Sequence, residues 1–345
     1  MDAPGDGGEG ARDAPPDVAR ELAALLIGEL PHLTRVQVAE RAGVPLDVAV
    51  TLWHQLGFPH HSDDDVAFTE GDVAALRLTS ELVGMGIWSP ESQAALVRTW
   101  ARSYARLAEW QTSLLAGLVS DVGEPATALT DLAGDVLPRV EELQTYVWRR
   151  HLADAAQHLL EDEGVLTAAE TQLSVCFVDI VGYTTHSRGL DGTELVAWVD
   201  GFEQDTAALV VDHGGQVIKT IGDEVLFTVA DPAAAVTVAM ALTARGEDAD
   251  DPFPAVRAGI AHGAVVRRLG DVFGTTVNAA SRLTSAARPG SVLVDAGVHE
   301  ALAAHDADPG GAEAAGWRWH RVRRLPAKGF THLEAWRVRP PRNDG

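Results

Sequence analysis

Leu173-Ser174-Val175-Cys176-Phe177-Val178-Asp179-Ile180 is a short, mostly apolar run with a carboxylate near its end, and the hydrophobic period of the chain changes where it begins. Its length and composition predict a buried strand. Downstream, Thr193 to His213 reads as a helix, and Gly215 to Val229 as two strands turning at Gly222-Asp223. Asp231 to Arg245 reads as a helix with Pro232 in its first turn, where the missing N–H costs little. After an acidic loop, Gly246 to Pro254, come a strand over Ala255 to Val266, a helix over Val277 to Ala287 and a strand over Ser291 to Val294.

That order contains β-α-β-β-α-β, the ferredoxin-like pattern, with additions at its C-terminal end. The additions are a loop over His305 to Gly316 and a closing hairpin pair, Arg318 to Val322 and Leu333 to Val338. The expected fold class is α+β over residues 172–339, with a short tail at 340–345. Upstream, Glu161-Asp162-Glu163-Gly164 opens a linker that runs to 171. Residues 18–160 repeat apolar positions every three or four, as in Leu96-Val97-Arg98-Thr99-Trp100, which predicts an all-helical domain. Thr34, Thr69 and Ser89-Pro90 mark helix starts within it. Its Trp-rich helical face reads as core rather than as a ligand pocket. Residues 1–17, rich in Gly, Pro and Asp, are expected to be disordered.

A net charge of −23 argues against attraction to nucleic acid or anionic lipid. Residues 1–167 carry 11 Arg against 27 carboxylates, and residues 168–345 carry 16 Lys+Arg against 23, so an anionic ligand is expected on the second half. No apolar run approaches the length of a membrane span, and the N-terminus lacks the basic head of a secretory signal. A single cysteine, Cys176, excludes an internal disulfide, and the expected location is the reducing cytoplasm.

Only two lysines occur, Lys219 and Lys328. Lys219 opens Lys219-Thr220-Ile221-Gly222-Asp223-Glu224, where a compact ammonium has been kept in a chain that otherwise uses arginine. Asp179, flanked by Val178 and Ile180, is expensive to bury unless it is paired or holds a metal. Asp223 sits at the hairpin turn, and in the split β-α-β-β arrangement that turn lies beside the end of the first strand. Two converging carboxylates form a hard oxygen site suited to Mg2+ or Mn2+. Each acid alone is equally at home as a strand-end cap or in a Gly-Asp turn. Asn278 and Arg282, four apart, share one helix face, with a hydrogen-bonding amide and a fork for phosphate oxygens.

Taken together, Phe177-Val178-Asp179-Ile180-Val181-Gly182, the Lys219 to Glu224 run and Asp271 through Arg282 strongly resemble the class III nucleotidyl cyclase catalytic domain. By that resemblance Asp179 and Asp223, with the Ile180 backbone as a further candidate, hold two Mg2+ or Mn2+ ions per site against the triphosphate of ATP. The ribose 3′-hydroxyl attacks the α-phosphate in line and pyrophosphate leaves. Asn278 orients the ribose, and Arg282 neutralises charge growing on the α-phosphate. Lys328, in Leu325-Pro326-Ala327-Lys328-Gly329, matches the family's phosphate-binding lysine, and Arg267 or Arg268 is a further phosphate candidate. Lys219 and Asp271 fall on the base-reading positions. Lysine only donates and ionised aspartate only accepts, a pair that fits the ring nitrogen and amine of adenine and mismatches guanine. A guanylyl or mixed-purine cyclase is the alternative enzyme. The family draws its metal and base-reading residues from opposite subunits, which implies a homodimer with two sites across a twofold axis.

In the helical half, Leu33 to Pro45 followed by Leu46 to Gly57 reads like a helix-turn-helix. The second helix, Leu46 to Gln55, has no Lys or Arg to meet DNA phosphates, so a DNA- or nucleotide-binding sensor is the weaker reading and no nucleic-acid partner is expected. Leu25-Leu26-Ile27-Gly28-Glu29, Leu56-Gly57-Phe58-Pro59 and Ala67-Phe68-Thr69 resemble the regulatory domain of actinobacterial pH-sensing, autoinhibited adenylyl cyclases. That resemblance implies a proton as effector at this domain, with His151 and His158 as candidate sensors on the helix entering the linker; the abundance of Trp and Leu in this half makes a lipid the weaker alternative. Acidification is predicted to raise cyclase activity of the full chain and not of residues 168–345 alone; matching pH profiles for the two would exclude this regulation.

Overall fold

A computed structural model describes residues 16–119, 125–161, 171–306, 316–322 and 333–340. Residues 162–170 of the expected linker, most of the expected loop over His305 to Gly316, nearly all of the expected disordered N-terminus, the tail beyond Pro340 and Lys328 lie outside those residues. The chain forms two compact units, Met1–Glu161 and Asp162–Gly345.

The first unit is built of α1 (Pro16–Ile27), α2 (Arg35–Ala42), α3 (Leu46–Leu56), α4 (Glu70–Gly84), α5 (Pro90–Val119) and α6 (Pro125–Glu161). Helix α1 begins at Pro16, inside the stretch expected to be disordered. Thr34 caps α2 reciprocally: its hydroxyl accepts from the Gln37 amide while the Gln37 side chain accepts from the Thr34 amide. Gly43 (φ 70°) and Gly57 (φ 74°) end α2 and α3 in left-handed geometry, which produces the helix-turn-helix pair. Leu33, Val38, Leu52, Trp53, Phe68, Val73 and Leu76 form the core. The tryptophans depart from the sequence reading. Trp53 is buried, whereas Trp110 and Trp148 are 63% and 57% exposed. Helices α5 and α6, 30 and 37 residues long, outrun this small core. Among the described residues no helix is long and apolar enough to cross a membrane.

The second unit runs β1 (Thr171–Ile180), α7 (Tyr183–His186), a 3-10 turn (Ser187–Gly189), α8 (Gly192–Asp212), β2 (Gln216–Ile221), β3 (Glu224–Val229), α9 (Pro232–Glu247), β4 (Val256–Arg268), β5 (Asp271–Phe273), α10 (Thr275–Ala286), β6 (Val292–Asp295), α11 (Ala296–Asp306), β7 (Arg318–Val322) and β8 (Ala335–Arg339). The sheet order is β2-β3-β1-β4-β6-β8-β7, with β5 folded back on β4. Its β2-β3-β1-β4 part is antiparallel, the ferredoxin-like arrangement; β6 joins β4 in parallel, and β8 and β7 extend the edge.

Alternation along β1 divides the core. Cys176, Val178 and Ile180 pack with Phe202 and Val210 of α8 and Val236 and Leu242 of α9. Leu173, Val175 and Phe177 pack with Ala279, Ala280 and Leu283 of α10. Asp179 therefore belongs to the face that carries α10. Helix α10 lies close on β4 because Gly259 has no side chain: a Cβ there would stand 2.2 Å from the Thr284 amide nitrogen and 2.6 Å from the Ala280 carbonyl oxygen. Gly259→Ala is accordingly expected to destabilise this unit by about 1–3 kcal/mol. Calorimetry of the full chain should show its transition lowered and that of the helical unit unmoved; two unmoved transitions would contradict the packing.

Candidate active site

The register of β1 builds the first cluster. Asp179 pairs with Glu224 on β3 and with Arg257 on β4, so the three side chains stand in one row on one face. Arg257 Nε and Nη2 both approach Asp179 Oδ2, at 2.7 and 2.6 Å. Arg257 Nη1 reaches the Ser285 carbonyl near the end of α10, at 3.5 Å. The Ile180 amide donates to the Asp223 carbonyl at 3.1 Å, and Gly222 (φ 66°) supplies the left-handed turn residue. Those features fasten the β2–β3 turn to the end of β1 and bring the two predicted acids together.

Their charges interact. Burial pushes the Asp179 carboxyl above its ordinary range, Arg257 pulls it back and the charge of Asp223 pushes it further up. Burial, then the charges of Asp179 and Asp223, raise Glu224 to about 7, with Arg257 opposing. Three carboxylates thus share one cation. This is a hard, under-neutralised oxygen site, which fits magnesium or manganese. Among the described residues no group of three or more His, Cys, Asp or Glu side chains is disposed to hold an ion. Two carboxylates such as Asp179 and Asp223, completed by backbone, water and phosphate oxygens, are a normal composition for a magnesium site.

The second cluster stands elsewhere. Lys219 Nζ lies 2.5 Å from Asp271 Oδ2, and both side chains remain accessible to solvent, at 42% and 29%. Asp271 is delivered by a tight β4–β5 turn in which Leu269 (φ 54°) and Gly270 (φ 77°) are both left-handed. Arg267 donates to Gln216 Oε1 at 2.7 Å and ties this arm to β2; Arg268 is exposed. Both arginines sit with the Lys219–Asp271 pair, ten and eleven residues along β4 from Arg257. Asn278 and Arg282 are exposed on α10 and have no side-chain partner among the described residues. Register sets Lys219 opposite Leu226 and Leu226 opposite Phe177, so Lys219 lies two strands across from β1, while Asp271 precedes α10 and Arg257 reaches its far end. On α6, His151 is exposed. Helix α6 also includes His158.

Sequence reasoning missed Arg257 and Glu224. The available signal was register: Arg257 is the only charged residue between Ala255 and Val266, and pairing β1 with that strand sets it opposite Asp179.

The ferredoxin-like sheet with its C-terminal additions is consistent with the catalytic unit of a nucleotide cyclase. Residues 166–313 match the adenylate and guanylate cyclase catalytic domain. An adenylate cyclase of Streptomyces coelicolor is 39% identical over 290 residues, covering 83% of this chain and 75% of its own length. A pH-sensitive adenylate cyclase of Mycobacterium tuberculosis is 29% identical over 301 residues, covering 84% and 73%. Among solved structures, the adenylyl cyclase CyaB from P. aeruginosa aligns at 22% identity with a TM-score of 0.41, covering 51% of this chain and 97% of its own. The chain belongs to the adenylate and guanylate cyclase family. Catalytic domains of this family bind ATP or GTP, generally depend on Mg2+ or Mn2+, and typically dimerise.

Left-handed backbone at Leu269 carries strain that asparagine tolerates better. Leu269→Asn is expected to stabilise the second unit by about 1 kcal/mol, because the leucine side chain is half exposed and its loss costs little. Urea unfolding tests this; a lower midpoint would show that the leucine is needed for contacts at the arm.

Proposed function

We propose that this chain is an adenylyl cyclase, a phosphorus–oxygen lyase that converts ATP to 3′,5′-cyclic AMP and pyrophosphate. The observation that carries the choice of ATP is the 2.5 Å Lys219–Asp271 pair, a donor-only group beside an acceptor-only group at a solvent-open position. Opened by an entering base, the ammonium donates to a ring nitrogen of adenine and the carboxylate accepts from its amine. Guanine presents the reverse polarity and would leave both groups unpaired. Relatives named adenylate cyclase, 35–39% identical over most of the chain, support the same choice.

Asp179 and Asp223 are the residues that would hold the two ions, with the Ile180 backbone as a further ligand. When bound, Mg2+ or Mn2+ lowers the pKa of the ribose 3′-hydroxyl and braces the triphosphate. The 3′ oxygen forms a bond to the α-phosphorus, the bond from that phosphorus to the β-bridging oxygen breaks, and the hydroxyl proton passes to solvent. Asn278 holds the ribose, and the Arg282 fork meets charge developing on the α-phosphate. Lys328 binds the phosphate tail.

Domains of this family typically dimerise, and in this reading the site forms between two copies, each supplying carboxylates to one site and the base-reading pair to the other. Ile221, Val266, Leu269 and Phe273, each 43–50% exposed on the hairpin tip and the β4–β5 arm, fit such a pairing surface. The helical unit serves as the regulator, with a proton or a lipid as effector; α6, carrying His151 and His158, ends at Glu161 shortly before β1. The buried free thiol of Cys176 supports a cytoplasmic location.

Purified full-length chain is expected to make cyclic AMP from ATP with little cyclic GMP from GTP, and Asp179→Ala or Asp223→Ala to lower the rate at least about a hundredfold. Exchanging polarity by Lys219→Glu with Asp271→Lys should move preference toward GTP. Preference for GTP in the unmodified protein would overturn the assignment.

A further inference from the structure

The bonding pattern of Arg257 is not that of an ordinary fork-to-fork ion pair. Nε and Nη2 converge on the single oxygen Oδ2 of Asp179, and the carboxylate is 14% exposed where it receives them. Two further acids, Asp223 and Glu224, adjoin this pair, and neither has a side-chain hydrogen bond or ion pair among the described residues. The guanidinium therefore carries the neutralisation of the whole cluster. It is itself 33% exposed, and its remaining contact is a long one, 3.5 Å to the Ser285 carbonyl. A cation approaching Asp179 meets an oxygen already engaged by two donors, and the group engaging it has room to turn away.

We propose that Arg257 is a built-in counter-ion: it occupies Asp179 in the metal-free protein, so that a divalent cation gains the site only by displacing it. This rests on reading Asp179 as a metal ligand. The device has two physical consequences. It holds three crowded carboxylates together without an ion, which keeps the end of β1 and the hairpin turn assembled. It also subtracts the strength of a charge-assisted hydrogen-bonded pair from the affinity for the ion, so the nucleotide-free protein binds cations weakly. An arriving triphosphate offers the displaced guanidinium other oxygens, so nucleotide and cation favour each other's binding.

The test is Mn2+ binding to the full-length, nucleotide-free chain, followed by the electron paramagnetic resonance signal of free Mn2+. Arg257→Met removes the competing cation while keeping an apolar stem of similar length. It is expected to bind Mn2+ roughly tenfold more tightly than the unmodified chain. Arg257→Lys keeps the charge but not the side-on pair of donors, and should give a smaller rise; it decides the matter if the methionine variant does not fold. General damage to the site would weaken binding, so a rise is not a structural artefact. If neither folded variant binds more tightly while Asp179→Asn loses the ion, the counter-ion role is wrong and the metal assignment stands. If Asp179→Asn binds Mn2+ as the unmodified chain does, the metal assignment fails and the proposal with it.

Discussion

The row Glu224–Asp179–Arg257 is the constraint on which the catalytic unit depends. Three adjacent strands set two acids and one base side by side at the end of a sheet whose other β1 side chains are mostly buried and apolar. Burying carboxylates is costly unless their charge is met. Arg257 meets part of it, and the remainder shows in the upward push on Asp179 and Glu224. Ordinary stability favours removing such crowding. Its presence at a hairpin turn, joined by the bond from Ile180 to Asp223, is the kind of charge crowding that marks functional sites, and the proposed ion and nucleotide would answer it.

Helix α10 converts that row into a two-centre design. Its close seat on Gly259 fixes one end near Arg257, while the tight turn at Leu269-Gly270 brings Asp271 to Lys219 beyond the other. The acidic row and the Lys219–Asp271 pair are thereby held on one scaffold. In the proposed dimer each copy gives its acidic row to one site and its Lys219–Asp271 pair to the other, with the exposed apolar residues of the hairpin tip and arm as the proposed pairing surface.

Much of this was legible in the sequence, for identifiable reasons. The strands and helices of the second unit show their period because each has one face or both in a core, and Asp179 stood out as a charge in an apolar strand. Asp223 followed from the turn, and Lys219 from the scarcity of lysine. Arg257 and Glu224 were not legible as members of the site, because only cross-strand register places them beside Asp179. Elements of three and four residues, β5 and α7, are too short to display a period. Helix α11 escaped because its small and apolar residues show no strong face and it adjoins a segment read as loop. In the first unit the apolar pattern predicted an all-helical domain, but periodicity did not reveal that α5 and α6 would extend beyond the core with Trp110 and Trp148 exposed.

The most direct test mixes two inactive variants. Asp179→Ala loses a carboxylate of the acidic row and Lys219→Ala the ammonium of the base-reading pair, which the proposal assigns to opposite copies. Co-folded, they form some mixed dimers in which one of the two sites contains every intact group. Cyclic AMP formation by the mixture, from variants that are each inactive alone, is the predicted result. A mixture that forms dimers yet remains as inactive as its components would contradict the account.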